Sequence, residues 1–401
     1  MKRNLIEDLK YWGEHENRPF FLYGIEGVGK TWLVNNYTND FCETSVYFKT
    51  ERASAYYAPF LDSEDPLGFV SAHFQLSPEM LDSSVVIFDD VENYAASAVK
   101  LMQHAVLKSC RWIFVSAFDL VPDELRDNIT IRHLTPMQFD EFLTAAGSEW
   151  YVEALKTHYK SRKRMPDIVH DELLSDFEEY IWVGGMPEVV NDYLSSRSSV
   201  NITKKQERAR IYAYHALEFL SDETLRTKCR QILGVLEEEL KKPNQKFMFG
   251  LIRNGVTYKM YADAISELEK RGIVIMQDEL EDEQKFKLFY PEFSFFSSSK
   301  SDEVTDVEYE LRLQNYILQT LNEKGIQTFF WESGNRAELP VVIKDTEKEL
   351  PVDVSNGRNL ARSISSFLKI RSGETVLRIA DDNFKTEDGR ETIPVYSMFC
   401  M

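Results

Sequence analysis

The chain has 401 residues, 43% hydrophobic and 13% aromatic, enough for several packed cores and far from a disordered composition. Its formal net charge of -19 repels polyphosphate and argues against indiscriminate coating of duplex nucleic acid. Four cysteines (Cys42, Cys110, Cys229 and Cys400) form no CxxC pair and support neither a zinc site nor a disulfide framework; free thiols in a chain this large fit a reducing cytoplasm. The N-terminus turns acidic without an apolar stretch, and no run of about 18 apolar residues exists, so neither a leader nor a membrane span is expected.

In chain order, Leu5, Ile6, Leu9 and Trp12 recur at helical spacing over residues 4–14. Pro19-Phe20-Phe21-Leu22-Tyr23 is a short apolar run stopped by Gly24, which reads as a buried strand entering a glycine loop, with a helix over Thr31 to Tyr37 behind it. Further strands are expected at Ser45–Phe48, Val85–Phe88, Arg111–Ser116 and Ile129–Leu134. Strands alternating with helices imply an α/β fold with a parallel sheet, whose active sites lie at the carboxyl ends of the strands. Past residue 138 the pattern turns helical, with a charged helix expected over 204–240. Residues 247–290 read as a winged helix: a helix from Tyr258 to Lys270, Gly272, then strands around Ile273–Ile275 and Phe286–Phe289 flanking an acidic turn from Asp278 to Glu283. Ser297 to Glu303 is small and polar and reads as a linker, after which come a helix over 306–324, several strands and a helix near 361–370. The stretch Lys156–Arg164 is the one concentrated basic tract, read either as a patch for nucleic acid or as a solvated helix end.

Gly24-Ile25-Glu26-Gly27-Val28-Gly29-Lys30-Thr31 is the Gly-x4-Gly-Lys-Thr pattern in the strand–helix context that gives it meaning. The glycines allow the backbone to turn its N–H groups toward phosphate, and the following helix aims its positive end at the same place. Lys30 is expected to reach the β- and γ-phosphates and the Thr31 hydroxyl to ligate Mg²⁺. Gly24, Glu26, Gly27, Val28, Gly29 and Trp32 complete the set expected around the nucleotide. Val85-Val86-Ile87-Phe88-Asp89-Asp90 delivers two carboxylates to a strand end. Asp89 is expected to hold Mg²⁺, and Asp90 either to orient or deprotonate the attacking water or to cap the next helix. Ser116 ends the next strand, where it reads as a γ-phosphate sensor or as a turn residue.

These residues resemble the bacterial and archaeal AAA-like P-loop ATPases that carry a C-terminal domain related to PD-(D/E)xK nucleases. The resemblance spans essentially the whole length. It rests on the P-loop, Ile87-Phe88-Asp89-Asp90-Val91-Glu92, Leu134-Thr135-Pro136-Met137-Gln138-Phe139-Asp140-Glu141-Phe142-Leu143, Val183-Gly184-Gly185-Met186-Pro187-Glu188 and Lys285-Phe286-Lys287-Leu288-Phe289-Tyr290. It implies a P-loop core (1–145), a helical lid (146–240) in which Pro187 packs near the nucleotide base or starts a helix, a winged helix (241–300) and a restriction-endonuclease-like α/β domain (304–401). It also implies ATP and Mg²⁺ as ligands and ATP hydrolysis as the activity.

Two departures bear on that activity. Asp90 is one methylene shorter than the Glu typical at its position, which implies slow turnover because displacements of about 1 Å can cost about 100-fold. A Gly-Arg pair expected before Pro136 is replaced by Asp127-Asn128, leaving Arg126 and Arg132 as substitutes for the missing arginine or as surface ion-pair residues. In the C-terminal domain the nuclease positions fall on Gln314, Pro340, Asp353 and Ser355, with Glu338 two residues from Pro340. Of those four only Asp353 retains metal-ligand chemistry, so the expected role is binding or assembly rather than cleavage. Three functions follow as expectations: a slow ATPase acting as a switch with a protein partner or a second copy, an ATP-gated nuclease, or a nucleotide-binding module that does not hydrolyse.

Overall fold

Five short apolar segments pair side by side, and their side chains alternate between two cores. The structure, a computed structural model, describes residues 1–49, 63–77, 80, 84–108, 111–196, 201–282, 284–296, 305–334, 337–345, 348–354, 360–371, 373 and 375–401. Strands β1 (Phe20–Tyr23), β2 (Ser45–Lys49), β3 (Val85–Asp89), β4 (Trp112–Ser116) and β5 (Thr130–His133) form a sheet in the order β2-β3-β4-β1-β5. Every neighbouring pair is parallel. Phe20, Leu22, Ile87, Ile113 and Val115 enter one core, while Phe21, Val86, Phe88, Trp112 and Phe114 enter the other. The two-residue period thus buries both faces, which is why these strands read as unbroken apolar runs.

A bundle of helices follows. The stretch expected as one helix over 204–240 is divided into Ile202–Ala213, a tight turn of helix over Tyr214–Phe219, and Glu223–Leu240. The division has a local cause: the Asp222 carboxylate accepts from the amides of Thr224 and Leu225 and so starts a new helix. The longest preceding helix, Asp167–Val183, stops at Gly184. Its last carbonyls would be orphans. Arg312, almost fully buried, donates to Ile181 O at 3.3 Å and Trp182 O at 2.9 Å, and Gln206 donates to Trp182 O at 2.7 Å and Val183 O at 3.0 Å. A cation at a helix C-terminus also suits the negative end of the helix dipole. Burial lowers the Arg312 pKa only to about 10, so the guanidinium stays charged at neutral pH.

The hairpin after the helix Tyr258–Lys270 departs from the sequence reading. Strand β6 spans Ile275–Glu279 and β7 spans Phe286–Phe289. Ile273 does not join the strand because its amide donates to Leu268 O, closing the end of the helix around Gly272 at φ +64°. Asp278 and Glu279 are therefore strand residues rather than the start of an acidic turn, and Glu279 is buried; Glu283 lies outside the described residues. The hairpin is also no free wing. Strand β6 pairs in parallel with β8 (Thr328–Ser333), and with β9 (Ala337–Lys344), β10 (Glu349–Val354), β11 (Val376–Ala380), β12 (Lys385–Glu387) and β13 (Arg390–Pro394) it belongs to one eight-stranded sheet. That sheet crosses the expected boundary near residue 300; the linker Ser297 to Glu303 itself lies outside the described residues. The helices at Asp306–Glu323 and Ala361–Arg371 stand where the sequence places them.

Candidate nucleotide site

The loop Gly24–Gly29 leaves β1 and enters the helix Lys30–Phe41. Gly24 cannot carry a side chain, because a Cβ there would lie 2.1 Å from the Leu134 carbonyl oxygen. Gly27 and Gly29 take φ of +90° and +93°, backbone that favours glycine. Lys30 is buried, and its Nζ donates to Gly24 O at 2.7 Å and to Ile25 O at 3.2 Å. Burial pushes its pKa down, and the acids Glu92, Asp89, Asp90 and Glu26 oppose that shift, Glu92 most strongly. Val28 is buried, with its carbonyl accepting from Arg3. Trp32, by contrast, is 43% exposed on the surface beside the loop.

Strand order brings the second half of the site alongside. The Thr31 Oγ1 donates to Asp89 Oδ2 at 2.6 Å, and the Tyr47 hydroxyl donates to the same oxygen. Asp89 has no exposed surface. A hydroxyl and a carboxylate converging at one point are hard oxygen donors of the kind Mg²⁺ takes. Among the described residues no group of three His, Cys, Asp or Glu could hold a metal by itself.

Asp90 follows β3 in a left-handed turn, φ +57° and ψ 40°, and its Oδ2 lies 3.8 Å from Lys49 Nζ at the end of β2. Its side chain does not cap the turn of helix Val91–Tyr94. Burial first, and the neighbouring Asp89 second, raise its pKa. Ser116 is buried opposite Tyr23, and its Oγ accepts from Phe118 N at 3.4 Å, which fits the turn-residue reading. Arg126 pairs with Asp119 at 2.8 Å and Arg132 with Asp8 at 2.5 Å, so both sit in ion pairs. In the basic tract, Arg162 pairs with Glu391, Arg164 with Asp167 and Lys156 with Glu153, leaving it closer to a solvated helix end than to a free patch.

The lid motif abuts the loop. Met186 Cε and Pro187 Cγ lie 3.0 and 3.8 Å from where Cβ atoms on Gly27 and Gly29 would stand. Pro187 also opens the helix Pro187–Ser196. Gly185 donates its amide to the buried Glu292 at 3.0 Å and its carbonyl accepts from Met137 N at 2.7 Å. A Cβ at Gly185 would come 2.5 Å from Met137 O. Gly185→Ala is accordingly expected to cost on the order of 2 kcal/mol or more, read as a lowered urea midpoint with unchanged slope.

Several residues at the site carry no signal in the sequence. Arg3, buried, holds Val28 O, Thr135 O and both oxygens of Glu141. His215 reaches Glu26 from the lid at 3.2 Å. Glu92 stands in the turn after Asp90; its Oε2 is buried with no hydrogen-bond partner among the described residues. Burial lifts its pKa to about 7 against the pull of Lys30. Only its place in a matched motif singled it out beforehand.

A parallel sheet of this order, with a glycine loop between β1 and its helix and an acidic strand end beside it, defines a P-loop nucleotide-binding core. Residues 174–289 match the model of a domain of unknown function, DUF8612. No curated protein matches the chain. Among solved structures it is similar to the Walker-type ATPase of Pyrococcus abyssi, at 13% identity and a TM-score of 0.44 over 78% of this chain and 95% of that one. It is similar also to the Thermotoga maritima RuvB Holliday junction branch migration motor, at 12% identity and a TM-score of 0.33 over 69% and 89%. A third is the signal transduction ATPase with a tetratricopeptide repeat sensor from Pyrococcus horikoshii, at 16% identity and a TM-score of 0.31 over 80% and 45%.

Proposed function

We propose that the chain binds ATP with Mg²⁺ and hydrolyses it slowly, acting as a nucleotide-controlled switch or assembly module with a protein partner or a second copy. The observation that carries this reading is the meeting of the two motif halves, Thr31 Oγ1 on Asp89 Oδ2 at 2.6 Å, directly behind the buried Lys30. Lys30 is the group to hold the β- and γ-phosphates; Thr31 and Asp89 are the groups to hold Mg²⁺, which when bound neutralises charge on the phosphates. Tyr47 also donates to that Asp89 oxygen and so helps fix the carboxylate.

The switch reading is supported by the contacts of the lid. Met186 and Pro187 rest on the loop, Glu292 holds Gly185, and Arg312 closes the helix that leads into the motif. A shift of the loop on binding phosphate would therefore press on the helix Asp306–Glu323. Assembly is favoured over cleavage for the C-terminal sheet because its acids are already engaged. Glu338 accepts from the buried Lys287 at 2.9 Å, and Asp353 faces Arg390 at 3.8 Å. Gln314 is buried against Gln245 and Pro340 is a buried strand residue; Ser355 lies outside the described residues. A fluorescent ATP analogue should bind with Mg²⁺ and more weakly after chelation, with phosphate released slowly, and plasmid DNA should stay intact in Mg²⁺ or Mn²⁺. Analogue binding indifferent to both ATP competition and chelation would defeat the ATP reading; nicking lost in Asp353→Ala would restore the nuclease.

A further inference from the structure

Strand order separates the two acids that follow β3. The P-loop follows β1, and β4 lies between β1 and β3, with β2 outside β3. An acid at the end of β3 can therefore lean inward, toward β4 and the loop, or outward, toward β2. Asp90 leans outward. Its left-handed backbone turns the side chain toward Lys49, the last residue of β2, and a third of that side chain is exposed. Glu92 leans inward. The groups that favour its charge are the Lys30 ammonium, its own amide and the amide of Ala117, the residue just past the end of β4. Of the acids around Lys30 it acts on that ammonium most strongly, ahead of Asp89 and Asp90.

Glu92 also has an acceptor to spare. Its Oε2 is buried and makes no hydrogen bond among the described residues. A buried carboxylate oxygen left without a donor costs on the order of 1–3 kcal/mol, so such an atom in a native site asks for an explanation. A donor arriving with the substrate supplies one.

We propose that Glu92, rather than Asp90, is the carboxylate that takes the proton of the attacking water. This rests on the hydrolysis proposed above. The water oxygen forms its bond to the γ-phosphorus as the bond from that phosphorus to the β–γ bridging oxygen breaks. The electron pair of the broken bond leaves on ADP, and the proton released by the water passes to Glu92 and then to the departing phosphate or to solvent. Asp90 in this scheme is held by Lys49 and keeps β2 and β3 together at their ends.

The test uses the full chain with ATP and Mg²⁺, reading phosphate release and binding of a fluorescent ATP analogue in parallel. Glu92→Gln should lower turnover by about 10²–10⁴-fold, the range for loss of a general base, while analogue affinity stays within about threefold. Asp90→Asn should cost less than about tenfold, and Glu92→Asp should recover part of the lost turnover. Wild-type turnover in Glu92→Gln, or a larger loss in Asp90→Asn, overturns the assignment. So does a Glu92→Gln variant that loses binding and turnover together, since Glu92 would then only brace Lys30. If the wild type binds the analogue but releases no more phosphate than Lys30→Ala, the assignment falls together with hydrolysis while ATP binding stands.

Discussion

Lys30→Ala should reduce ATP-dependent phosphate release by on the order of 100-fold or more, the usual scale for removing one preorganised group that stabilises transition-state charge. Analogue binding should weaken as well. The expected effect has two parts. One is loss of the ammonium that meets the β- and γ-phosphates. The other is local: Lys30 is the buried cation among Glu26, Asp89, Asp90 and Glu92, and without it those acids repel both one another and an incoming polyphosphate. Lys30→Arg would keep the charge but not the fit. The guanidinium is planar and larger than an ammonium that now donates within the loop to Gly24 O and Ile25 O. Phosphate release within a few-fold of wild type in Lys30→Ala, with circular dichroism unchanged, would remove the P-loop from the mechanism.

The second large effect is on stability. Glu141→Ala should destabilise the chain by about 3–5 kcal/mol, because it strands a buried guanidinium without its partner. Arg3 and Glu141 are 3% and 5% exposed, and Arg3 Nε lies 3.1 Å from each Glu141 oxygen. The same carboxylate accepts from the amides of Asn4 at 2.6 Å and Gln138 at 3.2 Å, so those donors are orphaned too. Replacing both partners with apolar residues, Arg3→Met with Glu141→Leu, should recover a good part of the loss. Urea unfolding measures both. A cost for Glu141→Ala below about 1 kcal/mol, as for an exposed pair, would show that the pair is not the clamp described. Because Arg3 also holds Val28 O inside the loop, saturating ATP should recover part of the stability lost in Glu141→Ala.

Much of the core was legible because its signals are local. Apolar runs stopped by Gly24 and by Asp89-Asp90 mark strands buried on both faces, and β1 and β3 lie within a residue of those readings. The helix Tyr258–Lys270 follows from its spacing and from Gly272 behind it. The departures come from competition that periodicity does not record. Ile273 is apolar and β-branched, but its amide is spent on closing a helix. Asp278 and Glu279 look like a turn because they are acidic, yet β8 pairs with both, and Glu279 is buried. The hairpin read as a separate wing became the edge of a larger sheet, because a strand with unpaired edges binds whichever partner the chain brings to it.

The division of labour at the site follows the same physics. Sequence alone determined the loop, Lys30, Thr31 and the acidic end of β3, since each depends on short-range spacing: a glycine turn, the first residues of a helix, the last residue of a strand. Only the tertiary structure decided what surrounds them. Arg3 and Glu141 are 138 residues apart in the chain, and Glu26 and His215 are 189 apart. No local pattern could announce such pairs. Nor could the sequence tell that Asp90 is turned toward Lys49 at the end of β2. That is set by a left-handed turn at Asp90 and by β2 lying beside β3, and both are properties of the folded chain.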